Sequence, residues 1–403
     1  MRILWVSDAP WSTSGYGVQT ALAVPRLIGL GHEVAALCTW GLGGATIEWQ
    51  GIKTYPGGAD PFANDVINAS AHDWKADIVI TLKDSFVFRP DAFRGLRWCP
   101  MVPVDHEPLT PQISEILRHA FAPIAYARHG EQSLFAAGFD PLYAPHAYDP
   151  AVYYPGDKRE AREKLGIPMD RFLVGTVAVN RGGIPSRKAW PQNIEAFARF
   201  AASNPDAVYL THTYVGTDGA EGSVNLPFYA SRYGVPDRVL FPDQQQFKAG
   251  FATDYLRTYY QAIDVLLATS IGEGFGVPTL EAQACGTPVV VSGWCASEEL
   301  CFAGEIVTRD EAIRMPDSQM TDVYIPQPAA IADKLQRVAD RLRDPAQADA
   351  MRTQALARAE AYQIDAVAQT YWRPLLEEIE QRMALEHVYP RYLRVVSPEE
   401  ILL

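Results

Sequence analysis

Two carboxylates eight positions apart frame the segment Glu273-Gly-Phe-Gly-Val-Pro-Thr-Leu-Glu281. A carboxylate accepts hydrogen bonds from two vicinal hydroxyls, the arrangement that ribose and hexose rings present. Between the acids runs a glycine-rich loop. Pro278 is pre-organised for a first helical turn and Gly286 suits a helix C-terminus, so the spacing predicts a helix with Glu281 in its first turn. The free N–H groups at such a helix start, with a dipole worth about half a positive charge, form a site for a phosphate or diphosphate. Gly274 and Gly276 remove side chains from that approach, and Phe275 and Val277 complete the loop. Either acid alone reads as a helix-capping or solvated residue. Both together, around Gly-Phe-Gly-Val-Pro and ahead of Ala-Cys-Gly-Thr-Pro-Val-Val, form a specific signal.

The elements that must carry this loop are legible as an alternation. From Met1 to about Val104, short apolar runs (Ile3 to Val6, Val34 to Cys38, Ile78 to Leu82, Met101 to Val104) alternate with amphipathic stretches such as Val18 to Leu30. This is the rhythm of a largely parallel sheet with crossover helices. The loop Asp8-Ala-Pro-Trp-Ser-Thr-Ser-Gly-Tyr-Gly17 follows the first run, where open α/β sheets bind ligands. There Gly15 and Gly17 are expected to let backbone approach a ligand, and Trp11 and Tyr16 to touch an acceptor. Six of the nine tryptophans fall in this half, and most are expected in the core. Val102-Pro-Val-Asp-His-Glu-Pro-Leu109 places Asp105, His106 and Glu107 at the end of another strand, again at the ligand edge.

The proline-bearing segment from Ala144 to Pro155 reads as a linker. Beyond it the alternation resumes: strands over Phe172 to Val179, Val208 to Thr213, Val239 to Phe241, Val265 to Thr269 and Pro288 to Ser292, with helices over Trp190 to Ala202, Asp254 to Ala262 and Thr279 to Cys285. The fold class expected is therefore α/β, with two Rossmann-like domains facing a cleft: residues 1–150 for the acceptor and 151–375 for the donor. A terminal helix or tail over 376–403 is expected to return to the first domain.

The segment from Glu273 to Glu281 resembles the Glu-x7-Glu signature of retaining GT-B glycosyltransferases, particularly the large family four. Gly31-His-Glu-Val34 resembles the end of that family's first helix. Pro145-His-Ala-Tyr-Asp149 resembles its interdomain Pro-Asn-Gly-Val-Asp, and Ser292 to Leu300 its stretch ending in a glutamate. The similarity is weak but runs to about residue 380. It implies that Glu273 contacts hydroxyls of the transferred sugar, that Glu281 holds the nucleotide ribose, and that the loop amides hold the diphosphate of a UDP- or GDP-sugar. It also implies a basic pair beside the diphosphate, here Arg181 and Lys188 in Val179-Asn-Arg-Gly-Gly-Ile-Pro-Ser-Arg-Lys-Ala-Trp190. Cations are needed there because negative charge grows on the leaving group in the transition state. The run departs from the usual Gly-Arg-x4-Lys-Gly in having Arg187 beside Lys188 and a longer gap, which leaves open which basic residue serves. By the same resemblance the first-domain catalytic residue is His106 or Asp105.

Composition sets the remaining bounds. No apolar stretch approaches the roughly 18 residues of a membrane helix, and no secretion signal precedes the first strand. Five cysteines without a C-x-x-C pair argue against a disulfide framework or zinc site and fit a reducing cytoplasm. No metal and no separate cofactor are expected. The net charge of −13 disfavours nucleic acid as a partner. The reading is hexosyl transfer from a nucleotide-diphosphate sugar to a glycan, lipid or small-molecule hydroxyl. The alternatives are a transferase acting on a hydroxylated DNA base, for which Arg89, Arg94, Arg97 and Arg118 leave room, and a non-catalytic sugar-nucleotide-binding protein.

Overall fold

The computed structural model describes residues 1–388 apart from 184 and 253, so the part of the expected tail over 389–403 lies outside the described residues. Eight strands form the first sheet: β1 Arg2–Ser7, β2 Glu33–Cys38, β3 Ile47–Trp49, β4 Ile52–Tyr55, β5 Ile78–Leu82, β6 Trp98–Val102, β7 Ile124–Ala125 and β8 Leu142–Tyr143. Their order is β3-β4-β2-β1-β5-β6-β7-β8, parallel throughout except for β3 against β4. The central strands β1, β5 and β6 are almost wholly buried, as expected for a sheet covered on both faces.

The second sheet contains β9 Phe172–Val177, β10 Ala207–His212, β11 Val239–Leu240, β12 Val265–Ala268, β13 Val289–Ser292 and β14 Gly304–Val307, in the order β11-β10-β9-β12-β13-β14. Both sheets reverse their winding beside their first strand, at β1/β5 and at β9/β12. Ligands of open α/β sheets sit outside such a reversal. A separate antiparallel hairpin, β15 Ala312–Pro316 and β16 Asp322–Pro326, follows the second sheet.

Five helices position the site: α1 Gly15–Gly29, α2 Trp190–Ser203, α3 Tyr255–Ala262, α4 Val277–Ala284 and α5 Arg373–Val388. Ser14 caps α1 by accepting from the Gly17 amide at 3.0 Å. The α4 cap is Gly276, at φ +104°, a conformation that glycine adopts without penalty. Helix α5 and the turn leading into it lie on the first domain: Trp372, just before the helix, and Leu375, Leu376 and Ile379 within it share one core cluster with Ile3 and Trp5, and the Trp5 and Trp372 rings are 5.8 Å apart. Arg97 and Glu386 close that contact at 2.7 Å. No helix among the described residues is long and apolar enough to cross a membrane.

Of the six tryptophans in residues 1–150, only Trp5 and Trp98 are buried. Trp49 and Trp74 are partly buried and pack against the core clusters, so four of the six contribute to the core and Trp11 and Trp40 do not. Trp11 and Trp40 follow β1 and β2 at the sheet's carboxyl edge, where aromatic rings stand in solvent rather than between layers.

Candidate active site

The loop entering α2 is stitched to the loop entering α4. Arg187 donates from Nη1 to the Gly272 carbonyl at 2.9 Å, and the Ile271 amide donates to the Arg187 carbonyl at 2.7 Å. Asn193 binds the carbonyls of Lys188 and Thr269, each at 3.1 Å. This stitching aims two cations at one carboxylate: Lys188 Nζ bonds Glu273, and Arg187 Nη1 stands 3.6 Å from Glu273 Oε2. Burial, and then the Arg187 charge, lower the Lys188 ammonium from its ordinary range, against the pull of Glu273.

Arg187 also reaches the first domain, 3.6 Å from Asp105 Oδ2. Asp105 in turn bonds His106 Nδ1 at 2.9 Å. Burial would raise the Asp105 carboxyl, but the His106 bond and the charges of Arg187 and Lys188 bring it to about 2. His106 Nε2 is buried without a hydrogen-bond partner among the described residues. Asp105 and His106 are thus brought beside Glu273 and Lys188 across the cleft.

A cavity of about 630 Å³ opens next to this cluster, bounded by Thr13 and Gly15 of the first domain and by Val179, Arg181, Lys188, His212 and Pro278 of the second. Part of its wall is aromatic: His212 and Phe247 line it, and the His212 ring lies 5.2 Å from both Phe247 and Phe251 and 5.4 Å from Tyr255. Burial lowers the His212 imidazole to about 4, so the ring is neutral at physiological pH. A volume of this size, lined both by cations and by flat aromatic rings, suits a nucleoside diphosphate. The sequence reading missed His212 and Phe247; the signal available was a polar residue ending a strand, ahead of an aromatic run from Phe247 to Tyr260.

The structure revises several expectations. Arg181 is exposed on the cavity rim and pairs with Glu221 at 3.7 Å, and among the described residues it makes no ion pair with Glu273. The pair converging on Glu273 is Arg187 and Lys188, because the α2 entry folds back against the Gly272 backbone. Glu281 occupies the fifth position of α4, in the second turn rather than the first, and is buried. It accepts from Tyr260 Oη at 2.9 Å, and burial raises its carboxyl to about 7 against hydrogen bonds from Tyr260 and Tyr153. It is not among the residues bounding the cavity.

Phe275 is buried in the first domain's core, its ring edge-on to Tyr126 and His146 at 6.4 and 5.2 Å, so its side chain joins domains instead of facing a donor. Val277 is half-buried against the same cluster. A Cβ on Gly274 would come within 3.2 Å of Tyr126 Oη, so this glycine permits domain approach rather than ligand approach. A Cβ on Gly17 would collide with Ser12 and the Ala9 carbonyl, whereas Gly15 borders open space in the cavity.

Two domains of this topology, facing across a cleft with a cation-bearing loop and a helix start on one side, define the GT-B class of fold. A model of the family described as Glycosyl transferases group 1 matches residues 176–341, within the second domain. Among curated relatives, a D-inositol 3-phosphate glycosyltransferase of Stackebrandtia nassauensis is 38% identical over 152 residues, covering 37% of this chain and 32% of the relative. The enzyme of the same name from Mycobacterium avium is 31% identical over 184 residues, 45% of this chain and 40% of the relative. The chain thus spans about a third of the length of the curated relatives it matches. Among solved structures, sucrose-phosphate synthase from Thermosynechococcus elongatus superposes with a TM-score of 0.73 at 18% identity, over 96% of this chain and all of the other. Anabaena HepE in complex with UDP-glucose superposes with a TM-score of 0.69 at 17% identity, over 94% of this chain and all of that one.

Proposed function

We propose that the chain is a glycosyltransferase that moves a hexose from a UDP- or GDP-sugar to a hydroxyl acceptor, with retention at the anomeric carbon. The observation that carries this reading is the convergence of Lys188 and Arg187 on Glu273, at the edge of a cavity lined in part by His212 and Phe247. The base would lie against His212 and Phe247, the diphosphate against Lys188 and the α4 start, and the hexose against Glu273. In the transferring step the bond from the anomeric carbon to the phosphate oxygen breaks, and its electron pair leaves with the diphosphate. The acceptor oxygen bonds to the same face of that carbon, and its proton passes to the departing phosphate oxygen. Lys188 and Arg187 meet the growing charge, which makes the reaction independent of divalent metal in this reading.

Several features support the reading: the family match over 176–341, the UDP-sugar bound by a structural neighbour, and the cleft between the domains. A thermal-shift series with UDP, GDP, UDP-glucose and GDP-mannose tests donor binding; a ligand at 100 times its Kd adds about 2.7 kcal/mol of stability. Anomeric proton coupling in the product then reads the stereochemistry. Absence of any nucleotide-dependent shift, or an inverted product, would overturn the reading. Transfer that persists in a chelator is expected.

A further inference from the structure

The inference here rests on the transfer reading and concerns the other half of the reaction. The first sheet reverses at β1/β5, and the residues leaving those strands meet there. Asp8, buried at the end of β1, accepts from Ser14 Oγ at 2.6 Å and Thr39 Oγ1 at 3.0 Å, and pairs with Lys83 Nζ at 2.6 Å. Lys83 itself lies 5.1 Å over the Tyr16 ring. The next residue, Asp84, makes no ion pair among the described residues, and burial and the Asp105 charge push its carboxyl up. The cations at this edge are committed: Lys83 to Asp8, Arg187 to Asp105 and Glu273, and Arg309 to Glu107 at 2.7 Å.

An anionic acceptor entering here would be opposed by the carboxylates of Asp84 and Asp105. Hydroxyl pairs would instead donate to those carboxylates. Further along the same edge, beyond β1 and β2, Trp11 and Trp40 are 42% and 58% exposed. Trp11 is pinned by a 3.0 Å bond from Nε1 to the Gly41 carbonyl, and its ring lies 6.5 Å from that of Trp49. A pinned exposed indole is a stacking face with little conformational entropy left to lose. Strands β6, β5, β1 and β2 are consecutive neighbours, so at about 4.8 Å per strand the edge from Asp105 to Trp40 runs roughly 14 Å, longer than one sugar ring.

We propose that the acceptor is an uncharged saccharide of at least two rings, with the reacting ring over Asp84 and Asp105 and the next ring stacked against the exposed indoles of Trp11 and Trp40. The test uses the full chain with the donor that gives the largest thermal shift, measuring nucleotide release against glucose, myo-inositol, inositol 3-phosphate and a panel of maltose, lactose and cellobiose. A neutral disaccharide is expected to be used at least tenfold better than inositol 3-phosphate. Trp40→Ala and Trp11→Ala are expected to lower kcat/KM for that disaccharide about tenfold relative to glucose, the loss of one stacking contact. Asp84→Asn is expected to narrow the preference against inositol 3-phosphate over myo-inositol. A protein that neither binds nor hydrolyses any donor fails the transfer reading and takes this inference with it. If the donor is turned over, the inference alone is overturned by inositol 3-phosphate matching or beating the neutral acceptors, by no disaccharide raising nucleotide release, or by both tryptophan variants keeping the wild-type ratio.

Discussion

The two crevices at the strand reversals share a topology and oppose each other in charge. At β9/β12 a lysine, an arginine and a helix start surround a single glutamate, beside an open cavity lined in part by aromatic rings. At β1/β5 a lysine pairs with a buried aspartate, and a second aspartate is left without an ion-pair partner among the described residues. On the proposed reading, one crevice takes a polyanion and the other disfavours one. The shared fold fixes where ligands sit, whereas the pairing of charges bears on what they are.

The largest test of that contrast is removal of its positive side. Lys188→Ala is expected to lower kcat by about 100- to 1,000-fold, the usual cost of one preorganised donor to a developing anion. Nucleotide-induced thermal stabilisation should persist through the base and the helix start. Arg187→Ala is expected to cost a comparable factor, because it serves Glu273 and Asp105 together; a loss under threefold in either variant would break the asymmetry. A smaller effect is expected from pH. Only the protonated lysine stabilises the leaving group, and its folded-state value is depressed, so kcat should fall on the alkaline side before an ordinary lysine would titrate. A pH–rate profile that stays flat to pH 10 would contradict this.

Glu281→Gln probes the same contrast through stability. The folded carboxyl is raised to about 7, so as pH climbs from about 4.5 to 7 the unfolded chain loses a proton that the folded chain retains, and stability falls. At about 1.4 kcal/mol per tenfold change in proton affinity, this amounts to on the order of 3 kcal/mol. The variant should therefore be more stable than the parent at pH 8 and nearly equal at pH 4, as read by urea denaturation. Arg181→Ala is expected to have the smallest effect, less than fivefold in kcat/KM, because its partner is the exposed Glu221.

The alternation of strands and helices was legible because parallel strands buried on both faces leave continuous apolar runs, as at Ile3 to Val6 and Ile78 to Leu82. The stretch bracketed by Glu273 and Glu281 was legible because glycine and proline punctuate it. What escaped the sequence has physical reasons too. Arg181 and Arg187 are both plausible by spacing, and only the fold-back of the loop onto the Gly272 carbonyl separates them. Phe275 sits among loop residues, yet its ring is captured by Tyr126 and His146, which lie more than a hundred positions away. The hairpin over 312–326 gives no clear periodicity, since Arg314 and Tyr324 interrupt its apolar residues on short strands. Asp84 and Lys83 look like ordinary solvated charges until β1 and β5 are placed side by side.

The return of α5 has a consequence for how the molecule is made. Ile3 and Trp5 share their core with Trp372, Leu376 and Ile379, so the first domain cannot finish its interior until the second has been synthesised. At roughly 5–20 residues per second, the apolar face of β1 waits on the order of 20 to 75 s on the ribosome for its cover. Over that interval the nascent first half exposes apolar surface that its finished core would cover, the condition that makes folding intermediates prone to aggregate.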